Sequence, residues 1–292
     1  MNFQVKFVKK QGYMKKVFLL VGMFISLQLI AQKKGASISL NKGQKILVRT
    51  TANQEADMGM GMEMKNNTST QNTISVIDAD GTQYTISNTL TGIKLSMDFM
   101  GQQTNYDSDL KEDSASEIGK SLQNLNIPDT VSVNKKTAEV ISHKDKTEGK
   151  KEDASNPMET LFESLGNTNA DVVVNEAFFI IPLDKKMGDS WIDSLITKDQ
   201  KTYKTFTLKS IEKNIATIEM IGKVESNIQT ETQGLQVSVV MTTKTNTEII
   251  ADTNTSLVNK RTTKADITGT LELMGQTAPI TGKATTISIY EH

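Results

Sequence analysis

Apolar and polar side chains alternate with a period of two along much of the chain. Ile93, Leu95, Met97 and Phe99 alternate with Lys94, Ser96 and Asp98, and Ile267, Leu271 and Leu273 alternate with Thr268, Thr270 and Glu272. Successive side chains of a strand point to opposite faces, so this period gathers the apolar set on one face of a sheet. Shorter runs repeat it at Ile46/Val48, Ile74/Val76, Tyr84/Ile86, Phe206/Leu208, Val237/Val239 and Ile287/Ile289. Between Val76 and Tyr84, the string Asp78, Ala79, Asp80, Gly81 predicts a hairpin turn, because Asp-Gly tolerates the positive φ of tight turns. Threonine, which fits a half-buried pleated surface, supplies 36 of the 261 residues after Ala31. The expected fold is mainly β (α+β): curled antiparallel sheets in two similar lobes, half-barrel-like, each sheet with one wet face.

Two segments depart from this rhythm. Residues 110–126 place Ile118, Leu122 and Leu125 at helical intervals after a Ser/Asp-rich start, with Pro128 just beyond. Residues 157–165 predict a second short helix, with Pro157 at the favoured first position and Gly166 after its end. The stretch between them is charged or small, so residues 143–156 are read as a solvated linker between an N-terminal β lobe (32–142) and a C-terminal one (157–292). A short echo relates the lobes: Phe99, Met100, Gly101, Gln102 against Leu273, Met274, Gly275, Gln276, each expected where a strand ends.

The amino terminus has a different character. Lys15 and Lys16 precede an apolar run from Val17 to Ile30, closed by Ala31, the layout of a secretory signal peptide. A helix over that run spans only about 21 Å, short of the roughly 30 Å hydrocarbon core of a bilayer. Met14 is the expected start, residues 1–13 an upstream extension, and cleavage falls before Gln32. The expected location is periplasmic or secreted, without a membrane anchor after cleavage, since no cysteine follows the run to carry a lipid. The remaining chain has 28 basic and 34 acidic residues, a net charge of −6, which offers no basic footprint for nucleic acid.

The inventory of reactive groups narrows the chemistry. There is no cysteine, so disulfides, thiolate metal ligands and thiol nucleophiles are excluded. The two histidines are His143, at the start of the linker, and His292, the last residue. Gly188, Asp189, Ser190 and Trp191 resemble the nucleophile block of GDS-type esterases, but no histidine stands in a setting to take the serine proton. The same string reads as a glycine turn feeding a strand that buries Trp191. Met58, Met60, Met62 and Met64 fall at every second position. On one strand they would share a face, suited to a soft cation such as Cu(I) or to packing or lining an apolar groove; packing or groove lining is the preferred reading, ahead of a metal site or a mobile loop. Asp78 to Gly81 holds a fragment of a calcium loop, but Thr89 stands where the closing glutamate belongs. No catalytic residue, metal site or cofactor is assigned.

Lys42-Gly43-Gln44 opening the first strand, the Met-rich segment after it, Tyr106 to Asp109, Pro182 leading to Gly188-Asp189-Ser190-Trp191, and the later strands Tyr203 to Ile211 and Ala216 to Val224 stand in a recognisable order. So ordered, the chain resembles a family of exported proteins and lipoproteins of Bacteroidota classed only as a domain of unknown function. The resemblance implies a periplasmic or surface location and supplies no activity. In such a bacterium, Asp113-Ser114-Ala115, Asp129-Thr130-Val131 and Asp193-Ser194-Leu195 would match a three-residue O-glycosylation signal.

The function expected from these observations is non-enzymatic: binding of an apolar or amphipathic small molecule in the concavity of a curled sheet. The groove candidates are Met60, Met62, Met64, Leu95, Met97, Phe99, Leu271 and Leu273. A structural or assembly module binding another envelope protein through Val237 to Ile250 and Lys260 to Met274 is the first alternative. An enzyme using only carboxylates is the second, with no motif that points to it.

Overall fold

The computed structural model describes residues 37–59, 61–122, 125–144, 170–197, 200–232, 235–273 and 275–292. The signal segment, the helix expected at 157–165, linker residues 145–156 and Met60 lie outside them. The N-terminal half contributes β1 (Lys45–Asp57), β2 (Glu63–Ala79), β3 (Gln83–Phe99), β4 (Gln102–Asp107), β5 (Pro128–Asn134) and β6 (Val140–Lys144). The C-terminal half contributes β7 (Ser190–Ile196), β8 (Gln200–Glu212), β9 (Ile215–Thr232), β10 (Leu235–Asp252), β11 (Val258–Leu273) and β12 (Gln276–Glu291). His143 and Lys144, read from sequence as the start of the linker, close β6, with His143 opposite Val131.

Among the described residues these strands form one antiparallel, curled and unclosed sheet in the order β6-β5-β3-β2-β1-β12-β11-β10-β9-β8-β7, with β4 pairing off this path on β3. Each half is a meander, and the first and last strands join them over the register Leu47↔Glu291 to Asp57↔Thr281. The period of two is realised as inward burial: alternate β2 residues from Met64 to Val76 are buried and most of those between are exposed.

The turns follow their chemistry. Asp80 Oδ1 accepts from the backbone N–H groups of Thr82 and Gln83, both at 2.7 Å, and so builds the expected hairpin between β2 and β3. The echo is a shared turn. Phe99 pairs with Gln102 and Leu273 with Gln276 across two-residue connections, and both Met100 (φ 54°) and Gly101 (φ 79°) have the positive φ of a type I′ turn.

The helix expected over 110–126 is shorter, a 3-10 turn at Asp113–Ala115 followed by α1 (Glu117–Ser121). Ser116 caps it by accepting from Gly119 N–H at 3.0 Å. Ile118 is buried against Ile93, Leu95, Met97 and Tyr106, with Leu122 and Leu125 packed beside it, so the helical spacing of these three did mark the covering face. Sequence reasoning missed a second helix, α2 (Ala170–Glu176). Three consecutive β-branched valines between Asp171 and Asn175 give no amphipathic period and favour strand by propensity, yet α2 is helical and buried at Val172, Val173, Val174 and Glu176.

The main core explains the curl. Ile86 and Val131 from one flank of the sheet share a single buried cluster with Phe206, Leu208 and Ile218 from the other, and Val173, Val174, Phe178 and Phe179 belong to it too. The segment after α2 is stitched to the β10–β11 turn: Phe179 N–H donates to Ser256 O at 2.8 Å and Val258 N–H to Ala177 O at 2.9 Å. One end of the concave face is therefore plugged by α2 and the segment that follows it.

Candidate functional site

Beyond the plugged end, the concave face changes character along the strands. On β2 the inward side chains run Met64, Asn66, Thr68, Thr70, Asn72, Ile74, Val76, apolar at both ends and polar between. On β1 the inward set includes Ile46, Val48, Ala52, Gln54 and Ala56. Thr243 and Thr247 on β10, Arg261 on β11 and Lys204 on β8 are also buried. The face is thus a polar waist between two apolar zones. The sequence concealed this waist, because β2 carries polar residues on both faces there and alternation has nothing to sort.

Met62, Met64, Phe99 and Leu271, four of the candidates expected from sequence, lie in the far apolar zone. Met58 and Met64 are buried at 2 % and 1 % exposure beside Ala56, with Met62 and Phe99 packed against them. Leu271 is buried with Val239, Met241, Ile267 and Ile280, and Met62 also packs against this group, bridging the two clusters. Leu95 and Met97 stand apart, covered by Ile118 of α1 and its neighbours, and so belong to a small core and not to an open lining. Leu273 ends β11 opposite Gln276. Met58, Met241, Ile267 and Ile280 were missed as lining residues; their place follows from the pairing of strands distant in sequence.

Met58, Met62 and Met64, three of the four methionines, do not lie on one strand as expected. The string straddles the β1–β2 hairpin, with Met58 N–H donating to Met62 O at 3.0 Å and positive φ at Gly59 and Gly61. Asp57 faces Glu63 across the turn, so Met58 and Met64 leave it on the same side and still converge. Among the described residues no group of three or more His, Cys, Asp or Glu side chains is placed to hold a metal ion.

The buried charges lie where the waist meets the end of α2. Burial raises the pKa of Glu176, at the end of α2, against the opposing pull of Arg261 and Lys204. Burial lowers that of Lys204, partly offset by Asp193, its register partner on β7. The Tyr290 phenol is held well above its ordinary range by burial and by Glu176. Arg261 Nη2 donates to the Glu176 carbonyl at 3.5 Å. This arrangement ties the helix to the sheet. Ser190 lies opposite Thr207, their hydroxyls 2.8 Å apart, and the Gly-Asp-Ser-Trp string does open a strand, but Trp191, expected to be buried, is only half-buried, stacking on Phe206 with centroids 5.5 Å apart. His292 is exposed.

Fold and site define a mainly β protein built on one curled, unclosed antiparallel sheet. The chain belongs to DUF6263, a family of unknown function whose model matches residues 81–258. No curated protein matches it. A structure of lipovitellin, described for its lipid–protein interactions, is similar at 9 % identity and a TM-score of 0.50, over 87 % of this chain and 26 % of that one. The chain therefore spans about a quarter of the lipovitellin chain it matches. An outer membrane channel from Pseudomonas putida F1 is similar at 9 % identity and a TM-score of 0.26, over 89 % of this chain and 100 % of that one. For OccK5 (OpdH) of Pseudomonas aeruginosa the values are 8 %, 0.22, 86 % and 98 %. The two channels are too distant in shape to bear on this fold. Among the described residues no helix is long and apolar enough to cross a membrane.

Proposed function

We propose that this chain is an exported, non-enzymatic protein of a Bacteroidota envelope that binds an apolar or amphipathic small molecule on the concave face of its sheet. The observation that carries the reading is the convergence of Met58, Met62, Met64 and Phe99 with the Leu271 and Met241 cluster, beyond a polar waist. Thioether side chains repack around ligands of variable shape, and the concave side of an unclosed sheet offers them a continuous surface. Likeness of fold to lipovitellin, whose structure is described for lipid–protein interactions, agrees with this reading. The basic, then apolar, then small pattern from Lys15 to Ala31 supports export.

Native mass spectrometry of protein purified from its own envelope tests the proposal. The expected spectrum shows a chain beginning at Gln32 with a lipid-sized mass that organic solvent removes. A bare chain throughout, or an unprocessed chain from the cytosol, overturns it.

A second reading, an assembly module, rests on the sheet's terminal strand. β7 pairs only with β8 among the described residues and exposes Ile192 and Ile196. A free edge can add a strand from another protein. The strands expected from sequence to serve this role became β10 and β11, which are paired on both sides and offer only an outer face. A stoichiometric protein adduct in the same spectra, lost in an Ile192→Lys variant, would favour this reading.

A further inference from the structure

Among the described residues β7 ends the strand order with one long side unpaired. Thr197 N–H donates to Gln200 O and Leu208 N–H to Asp189 O, so the odd-numbered residues of this stretch direct their backbone groups at β8. The N–H and C=O of one strand residue point to the same side and alternate along the strand, so those of Ser190, Ile192, Ser194 and Ile196 face the open edge. Trp191 packs inward, so these four side chains lie on the outer face, where Ile192 is 74 % and Ile196 63 % exposed. Edge strands are commonly guarded by shortness, lysine or proline. At the opposite end of the order β6 has five residues and carries His143 and Lys144. β7 has seven residues with neither lysine nor proline, and its one charge, Asp193, faces Lys204 of β8.

We infer that two copies of this chain pair through β7, antiparallel about a two-fold axis at Ser194, into one continuous sheet. The strand is self-complementary about that residue. Ile192 of each copy meets Ile196 of the other, Ser194 meets its own counterpart, and the outward backbone groups of these residues fall opposite one another. Tyr203, opposite Ser194 on β8 and 39 % exposed, flanks the isoleucines from each side. On the inner face Asp193 meets the neutral Leu195 of the other copy. An axis at Asp193 would set two carboxylates opposite each other, which is destabilising. An axis at Ile192 or Leu195 would carry one isoleucine of each copy beyond the end of the other's β7. A two-fold interface demands such self-complementarity, whereas a strand from a different protein has no need of it. The inference deepens the assembly reading by naming its partner and is independent of any ligand.

Sedimentation velocity of protein purified from its own envelope, between about 1 and 100 μM, tests the pairing at concentrations suited to a small interface. The parent is expected to pass from monomer toward dimer across that range, and Ile192→Lys to stay monomeric with unchanged circular dichroism. The chain has no cysteine, so single introduced cysteines report the register. At the axis the two Ser194 Cα atoms would stand about 5.5 Å apart, within the roughly 4.4–6.8 Å that a disulfide spans. Ser194→Cys is therefore expected to give a disulfide-linked dimer on mild oxidation. Ser190→Cys, exposed on the same strand, is not, because its copies would lie about 27 Å apart at ~3.4 Å per residue. Equal cross-linking of the two cysteine variants overturns the inference. A parent that stays monomeric yet carries a different protein in its native mass spectrum overturns it and leaves the assembly reading standing; a monomeric parent that carries none removes both. Ser194→Cys carries the test alone if Ile192→Lys loses its strand circular dichroism.

Discussion

Truncating Phe206 to alanine should unfasten the edge of the sheet from the plug that closes it. Phe206 is buried on β8; its ring stacks on Trp191 of β7 at 5.5 Å and 17°, and tilts against Phe179, which follows α2, at 5.5 Å and 52°. Removing a buried phenylalanine side chain costs about 3–5 kcal/mol, combining lost transfer with the cavity left behind. Aromatic pairs add about 0.5–1.5 kcal/mol each beyond area, so Phe206→Leu, which restores most of the volume but neither of the two pairs, should cost about 1–3 kcal/mol. Among the described residues β7 pairs only with β8, so the loss should appear first at that edge. Trp191 is the only tryptophan in the chain and reports that edge directly. Urea unfolding followed in parallel by tryptophan emission and by circular dichroism is the assay. The expected result is a red-shifted native emission in Phe206→Ala and an emission transition ahead of the dichroism one. Thr205→Ala, on the exposed face of the same strand, should stay within about 1 kcal/mol of the parent. A Phe206→Ala protein within about 0.5 kcal/mol of the parent, or one with unshifted emission, would refute the reasoning.

Glu176 gives the fold a dependence on pH. Burial holds its carboxyl above the ordinary 4.5, so the folded chain keeps a proton that the unfolded chain releases. That contribution is fully present below about 4.5 and is lost as pH rises through the folded value. Thermal melts of Glu176→Gln should therefore lose a stabilisation that the parent gains on acidification from neutrality, whereas an unchanged difference between pH 7 and pH 5 would contradict the assignment. Lys204, lowered by burial, acts oppositely and adds stability as pH climbs toward 10.5. At the methionine hairpin, Gly59→Ala should be the harsher of two changes. Both Gly59 and Gly61 have positive φ, costing about 1–2 kcal/mol for alanine, but a Cβ on Gly59 would also meet the Ala278 Cβ at 2.9 Å while one on Gly61 meets nothing within 4 Å. Equal melting temperatures for the two variants would remove the steric argument. Met64→Ala should cost about 2–5 kcal/mol and Met64→Leu less than about 1.5 kcal/mol by denaturant unfolding, as for a packed side chain, and a neutral Met64→Ala would place that residue on a mobile surface.

Inward placement was partly legible in the sequence. Met64 and Leu271 could be assigned inward because each lies in an alternating run, and both are buried on the concave face. Leu95 and Met97 obey the same period, but α1 and the residues after it cover them, and nothing in β3 itself signals a cover supplied more than twenty residues later. Gln54, Asn66 and Thr243 were invisible as inward groups, since a polar residue between polar neighbours carries no periodic signal.

Strand identity and turn position were written locally. Alternation at Ile93 to Phe99 and the Asp80 turn depend on residues a few positions apart, so the chain alone determined that it forms antiparallel meanders. Tertiary structure decided which meanders meet and which side chains turn inward. β1 and β12 join across more than two hundred residues, and a one-residue slip on such Thr-rich, two-sidedly polar strands would exchange their faces at little local cost. The choice falls to the shared core, where Phe206, Ile86 and the buried α2 pack only if every strand holds its register.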